Sequence, residues 1–186
     1  MTWNLPLCVE IDGKEHKIRN KCDYRVVLDV ISCLNDEELE MSDRIRCALY
    51  IFYEDISEIE NFEVAMKEMF RIINNGAEEE QTHENKPVLM SWEHDFPILA
   101  PQINKVLKAE IRNPDAYFHW YTFLGGYFGI DPENNTWATV VSIRSKRAKG
   151  QKLEKHEIEF YRENRKMVDL PQQITAEERD LLNALW

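Results

Sequence analysis

Between Asn61 and Gly76 the residues Phe62, Ala65, Met66, Met69, Phe70 and Ile73 recur at helical spacing, with a capping side chain at one end and a glycine at the other. A strand cannot use such a pattern, because a period near 3.6 scatters it over both faces of a sheet. Glu63 and Lys67 add a favourably oriented i,i+4 pair. The same period returns behind Asp23, an N-cap residue, where Tyr24, Val27, Leu28, Ile31 and Leu34 define one buried helical face. It returns again from Ser42, where Ile45, Cys47, Ala48, Leu49, Ile51 and Phe52 cover most of a helix circumference and mark that helix as central. Six glycines and seven prolines in 186 residues are too few for the many turns of a sandwich or barrel. The expected fold class is therefore mostly α, a multi-helix globular domain.

One exception is expected at the start of the chain. Asp12-Gly13 lies between two short runs within Cys8 to Ile18, the pairing that favours a two-residue hairpin turn. A hairpin alone is marginal in water, so this small N-terminal β-hairpin must lie against the helices that follow.

Further along, a fourth helix is expected from Ser91 to about Ile111. Pro97 and Pro101 fall inside it and predict a kink or break near Leu99 to Pro101. Ala116 to Tyr127 carries Tyr117, Phe118, Trp120, Tyr121, Phe123, Leu124 and Tyr127, apolar or aromatic nearly all round, so that helix is buried or covered by a partner. Gly125-Gly126 follows the helical pattern, which reads as a close helix contact or a helix end. A turn at Asp131-Pro132-Glu133 leads to a helix through Trp137, Val140, Val141 and Ile143, with a strand as the alternative because of its β-branched content. Leu153 to Val168 reads as a helix with Ile158, Tyr161 and Val168 inward, and Thr175 to Glu178 as a capping box opening an amphipathic helix over 172–186. The polar, acidic stretch 75–88 reads as a mobile, solvated loop.

Charge then excludes function classes. Twenty-three basic against 34 acidic residues give a net charge of −11, which opposes general binding to duplex nucleic acid. That charge is unevenly spread. Residues 36–80 carry fourteen acidic and four basic groups, whereas Arg144 to Lys166 holds nine basic and four acidic ones. The basic stretch reads as a solvated helix face, with an acidic protein partner as the alternative. No stretch approaches the ~20 apolar residues of a membrane span. Met1 to Pro6 lacks the basic start and apolar run of a secretory leader, so a cytoplasmic location is expected.

Cys8, Cys22, Cys33 and Cys47 form no CxxC, and His16, His83, His94, His119 and His156 fall in five different elements, so no metal site and no cofactor are expected. Cys33 and Cys47 read as reduced core residues. Nucleophile-elbow, zinc-protease and phosphate-loop motifs do not occur. Trp92-Glu93-His94-Asp95 sets a histidine between carboxylates, but consecutive helical residues diverge, and the run reads as a surface helix start. An enzyme centred on His94 or His119 is the least favoured reading.

The order of features has a counterpart. The hairpin Val9 to Lys14, then Asn20 and Asp23-Tyr24-Arg25, then His119-Trp120-Tyr121-Thr122-Phe123 with Gly125-Gly126, then Ile143-Arg144, and Phe160-Tyr161-Arg162 closing at Leu170-Pro171 resembles the bacteriophage gene-product-fifteen family. The two prolines of the fourth helix and the helix after Pro171 depart from that family's pattern. The resemblance implies a tail assembly chaperone-like domain over residues 1–171, from long-tailed phages and prophages of Gram-positive bacteria, acting in the cytoplasm of the bacterial host. It implies a non-enzymatic protein that binds the phage tape-measure protein, and other tail proteins besides, before the tail tube polymerises. Neither nucleic acid nor membrane is an expected partner, and the oligomeric state stays open. The aromatic surplus places the contact at Trp120, Tyr121, Tyr127 and Trp137, with Leu182, Leu185 and Trp186 of the terminal helix. The alternative is a structural tail or head-completion component retained in the virion.

Overall fold

The computed structural model describes residues 4–77, 87–133 and 135–171. Among them, in chain order, are β1 (Cys8–Ile11), β2 (Lys14–Lys17), α1 (Tyr24–Leu34), α2 (Met41–Phe52), α3 (Phe62–Ile73), α4 (Trp92–Leu107), α5 (Trp120–Phe128), α6 (Thr136–Ala148), α7 (Lys155–Glu163) and α8 (Arg165–Val168). The chain is mostly helical with one small antiparallel hairpin, as its periodicity predicts. It divides into two compact units, one of Met1–Thr82 with Asn113–Gly125 and one of His83–Arg112 with Gly126–Trp186, so the division falls within α5. The expected loop at 75–88 lies outside the described residues from 78 to 86, as does the expected terminal helix from 172 onward.

In the first unit the hairpin turns on Asp12 and Gly13, both at positive φ (50° and 79°), as a two-residue primed turn requires. Val9 pairs with His16 and both are buried, while Ile11 and Ile18 continue the same inward face. Ile18 then bridges to Tyr53, and the Glu54 N–H donates to the Lys17 carbonyl, which fixes the hairpin against the end of α2. Arg19 completes that junction. Its Nε donates to the Ile51 carbonyl (2.9 Å) and its Nη2 to those of Tyr50 (2.8 Å) and Tyr53 (2.7 Å), satisfying acceptors that a helix C-terminus leaves open.

Three consecutive residues, Asn20, Lys21 and Cys22, hold positive φ, a conformation that non-glycine residues adopt at a cost. The strand-like segment ahead of α5 holds them there. The Trp120 N–H donates to the Cys22 carbonyl (2.9 Å), the Tyr117 hydroxyl to that of Lys21 (2.7 Å), and the Tyr24 N–H to that of Phe118 (2.9 Å). Asp23 caps α1 by accepting from the Arg25 N–H, as its position predicts. Beneath lies an aromatic core in which Tyr24 stacks on Phe123 (4.3 Å, 7° between planes) and Phe123 on Trp120.

Several burial expectations change here. The covered face of α1 is Tyr24, Val26, Val27 and Val30, and Leu28, Ile31 and Leu34 are only half-buried. Along α2 only Ala48, Leu49 and Phe52 are buried, because α1 and α3 cover one side of it, so α2 is not central. Cys47 is exposed and Cys33 half-buried; the buried thiol is Cys22, pushed up to about 12 by burial. In α3 the Asn61 cap is present, accepting from the Val64 N–H, and Asn75 and Gly76 close the C-terminus at positive φ.

The second unit is built on α4 and α6. No break occurs at the prolines of α4, which runs unbroken from Trp92 to Leu107. Pro97 and Pro101 are four residues apart and both exposed, so the carbonyls they leave free, those of Glu93 and Pro97, belong to residues on the wet side of the helix. The element after Asp131 is the helix α6 and not a strand, capped by Asn135, whose Oδ1 accepts from the Ala138 N–H. The aromatic helix α5 starts at Trp120, four residues later than its composition predicts, because Asp23 and His119 form a bridge just before it. The helix expected over Leu153–Val168 is interrupted at Asn164 and forms α7 and α8. Val168 is buried, Tyr161 half-buried and Ile158 exposed, while the inward residue beside Ile158 is Glu157. Lys146 (2.8 and 2.9 Å) and the Ser142 hydroxyl (3.0 Å) supply its partners.

Candidate partner-binding surfaces

Ile31 and Leu34 on α1 and Phe70 and Ile73 on α3 sit on apolar stripes that ordinarily signal core, yet each is only half-buried. With Met41, which is 63% exposed at the start of α2, they line a cleft of about 340 Å³ whose remaining lining residues are Asn35 and Asn74. Charge is confined to its border. The α1–α2 loop joins two lining residues, Asn35 and Met41, and carries Asp36, Glu37, Glu38 and Glu40, all exposed. The loop is ordered from within: the Asp36 carboxylate accepts from the Glu38 N–H (2.9 Å), and Arg44 Nε donates to the Leu39 carbonyl (2.8 Å). An apolar floor with a few polar side chains at its edge is the usual make-up of a protein-binding cleft. Residue patterning missed this surface, because half-buried and fully buried stripes carry the same period.

The second unit presents an aromatic cluster in which Trp92 meets Tyr127 edge-on (5.1 Å) and Tyr127 lies against Phe128 (5.4 Å) and Trp137 (6.5 Å). Phe128 is 69% exposed. Burial, with the nearby Asp95 carboxylate, pushes the Tyr127 phenol up and keeps it neutral. Behind it lies an ion pair that the sequence reading missed. Asp95, read as part of a surface helix start, is fully buried, and its two oxygens accept from Arg144 Nη1 (2.7 Å) and Nη2 (2.8 Å). Arg144, read as part of the solvated basic face, is buried as well. Its remaining donors reach the carbonyls of Leu89 (2.9 Å), Val168 (2.6 Å) and Met167 (3.0 Å), so all five guanidinium N–H groups are used inside the fold. A group so fully engaged holds α4, α6 and the α8 end together and is not poised for a ligand.

The aromatic contact residues separate accordingly. Trp120 and Tyr121 belong to the first unit, Tyr127 and Trp137 to the second. Trp120 is 2% exposed, donates from its indole to the Ile73 carbonyl (2.9 Å) and is core, as is Trp137 at 7%. Tyr121 and Tyr127 are half-buried. Leu182, Leu185 and Trp186 lie outside the described residues.

Among the histidines weighed for chemistry, His119 is buried. Its Nε2 lies 2.9 Å from the Pro6 carbonyl, and its Nδ1 accepts from the Tyr121 N–H (3.0 Å), so the ring caps α5 in one defined tautomer, protonated at Nε2. His94 Nε2 lies 3.3 Å from the Met167 carbonyl. Among the described residues no group of three or more His, Cys, Asp or Glu side chains is placed to hold a metal ion, and no helix is long and apolar enough to cross a membrane.

Compared with known proteins, residues 1–170 match the model of one family, described as Bacteriophage Gp15 protein. No curated protein and no solved structure matches the chain.

Proposed function

The chain belongs to the Bacteriophage Gp15 protein family, and from that premise we propose that it is a non-enzymatic tail assembly chaperone that binds the phage tape-measure protein in the host cytoplasm before the tail tube polymerises. The observation that carries this reading is the half-open apolar cleft of α1, α2 and α3, which offers an amphipathic helix the kind of face it buries elsewhere. A long helical protein awaiting assembly exposes apolar seams, and a partner carrying a net charge of −11 keeps such a complex in solution. The absence of catalytic work in this reading is supported by the way Asp95, Arg144 and His119 direct their hydrogen bonds into the fold.

Co-expression tests it. The tape-measure protein is expected to stay in the soluble fraction with this chain and to precipitate without it; equal precipitation in both overturns the reading. Mass spectrometry of purified virions is expected to find the chain absent. Stoichiometric abundance there would assign it instead to a structural tail or head-completion component.

A further inference from the structure

We infer that the cleft of the first unit selects an amphipathic helix whose polar face is basic, so that the bound partner segment is a Lys/Arg-flanked helix; this rests on the assembly-partner reading and names the chemistry of its occupant. The floor is apolar on both walls, Ile31 and Leu34 from α1 and Phe70 and Ile73 from α3, and Met41 stands at its mouth. Such a floor accepts the i, i+3, i+4, i+7 face of a helix but does not by itself choose between helices.

Selection comes from the border. Between the lining residues Asn35 and Met41 the loop carries four acidic residues at exposed positions, Asp36, Glu37, Glu38 and Glu40. The basic groups of that stretch are Arg44, whose Nε donates to the Leu39 carbonyl, and Arg46, which pairs with Asp43 (3.7 Å), so residues 36–46, with five acidic and two basic side chains, stay acidic on balance. On the α3 wall Arg71 is paired with Glu68 (2.6 Å), and Lys67, one turn before Phe70, has Glu63 one turn before it, so that wall carries at most a single net positive charge against the several carboxylates of the loop. A helix with Lys or Arg beside its apolar stripe meets opposite charge as it seats, whereas one with Glu or Asp there meets like charge, which is costly next to a desolvating surface.

Two labelled peptides of about 18 residues with the same apolar stripe, one with Lys and one with Glu on the polar face, test this against the full chain by fluorescence anisotropy. A third peptide has the Lys composition in scrambled order. The Lys peptide is expected to bind at least about tenfold more tightly than the Glu peptide at low salt, with the difference shrinking at about 0.5 M salt. The scrambled peptide is expected to bind at least about tenfold more weakly than the ordered one. Replacing Asp36, Glu37, Glu38 and Glu40 by their amides should bring the Lys and Glu peptides to equal affinity. Met41→Asn, at an exposed position that leaves the fold intact, should weaken both ordered peptides about tenfold. Equal affinities for Lys and Glu peptides in the unaltered chain, a preference that survives the amide replacements, scrambled binding as tight as ordered, or indifference to Met41→Asn would each overturn the inference. If co-expression keeps the tape-measure protein soluble while the peptides are not discriminated, the chaperone reading stands and this inference falls. If the Lys peptide is selected and the tape-measure protein still precipitates, the reading falls and the cleft remains a basic-helix site.

Discussion

His119 shows how one side chain carries a pH response in a fold held by backbone contacts. Burial holds its imidazole below the ordinary histidine value, and its Nδ1 must stay unprotonated to accept from the Tyr121 N–H. Because the folded value lies below the unfolded one, the unfolded chain takes up the proton first. The stability this ring contributes is therefore full above the unfolded value near 6.5 and is lost as pH falls through the lower folded value. Urea unfolding from about pH 8 to pH 5 is expected to show a loss of stability that is smaller in His119→Asn, which keeps a capping acceptor without the titrating ring. His119→Ala should cost about 1–2 kcal/mol at the alkaline end, from the lost cap and the Pro6 carbonyl left without its donor. The Asp95–Arg144 pair behaves differently, because what matters there is completeness. Removing either partner, as in Asp95→Leu or Arg144→Leu, should cost about 3–5 kcal/mol by leaving a buried charge unpaired, and the double replacement should recover a large part of that in the same unfolding assay. Neither role was legible in the sequence. The partners of Asp95 and Arg144 lie 49 residues apart, and His119 reaches Pro6 across 113, so no local spacing records them.

At the scale of elements, Gly125 and Gly126 separate two meanings of the same residue. A Cβ at Gly126 would come within 2.9 Å of Ile103 Cγ2 and Leu107 Cγ on α4, whereas one at Gly125 meets nothing within 4 Å. Gly126→Ala is accordingly expected to destabilise by about 1–3 kcal/mol through overpacking. Gly125→Ala should stabilise by about 0.5–1 kcal/mol through helix propensity, and thermal unfolding of the two variants side by side reads the opposite signs. A close contact was one of two readings the sequence offered for this glycine pair, and it holds at Gly126 alone. The hairpin turn at Asp12-Gly13 and the caps at Asp23 and Asn61 were legible outright, because each is a local requirement of backbone geometry. What local pattern did not settle was which side of an element the rest of the chain covers. The α4 prolines predict a break when read alone, but placing both on the exposed side lets the helix continue. Ile158 reads as inward by period, yet Glu157 takes the inward place because Lys146 and Ser142 meet it there. Ile31, Leu34, Phe70 and Ile73 read as core for the same reason, and that misreading conceals the cleft.

Across the whole molecule, counting charges misplaces the surface available to a partner. The basic stretch from Arg144 to Lys166 looks like the free counterpart of the acidic first half, but much of it is spent inside its own unit. Arg144 is buried with Asp95, Lys146 reaches Glu157, and Arg147 and Arg165 both pair with Asp169, which also accepts from the Tyr161 hydroxyl. Burial alone would push the Asp169 carboxyl up, but these neighbours outweigh it and hold the group below its ordinary value, so the cluster favours the ionised form and closes on itself. The acidic residues of the α1–α2 loop in the first unit are instead at exposed positions between two residues that line an apolar cleft. Partner capture should therefore respond to acidic and not to basic surface changes. With the tape-measure protein co-expressed, Lys149→Gln with Lys152→Gln, both at exposed positions, is expected to leave the soluble yield unchanged. The amide form of Asp36, Glu37, Glu38 and Glu40 is expected to lower that yield several-fold, and raised salt during capture should weaken the unaltered chain in the same direction. Quantitative immunoblotting of soluble and pelleted fractions decides between them. Loss of yield in the lysine variant with none in the amide variant would move the contact to the second unit, where Phe128 stands exposed on the aromatic cluster with Tyr127, Trp92 and Trp137.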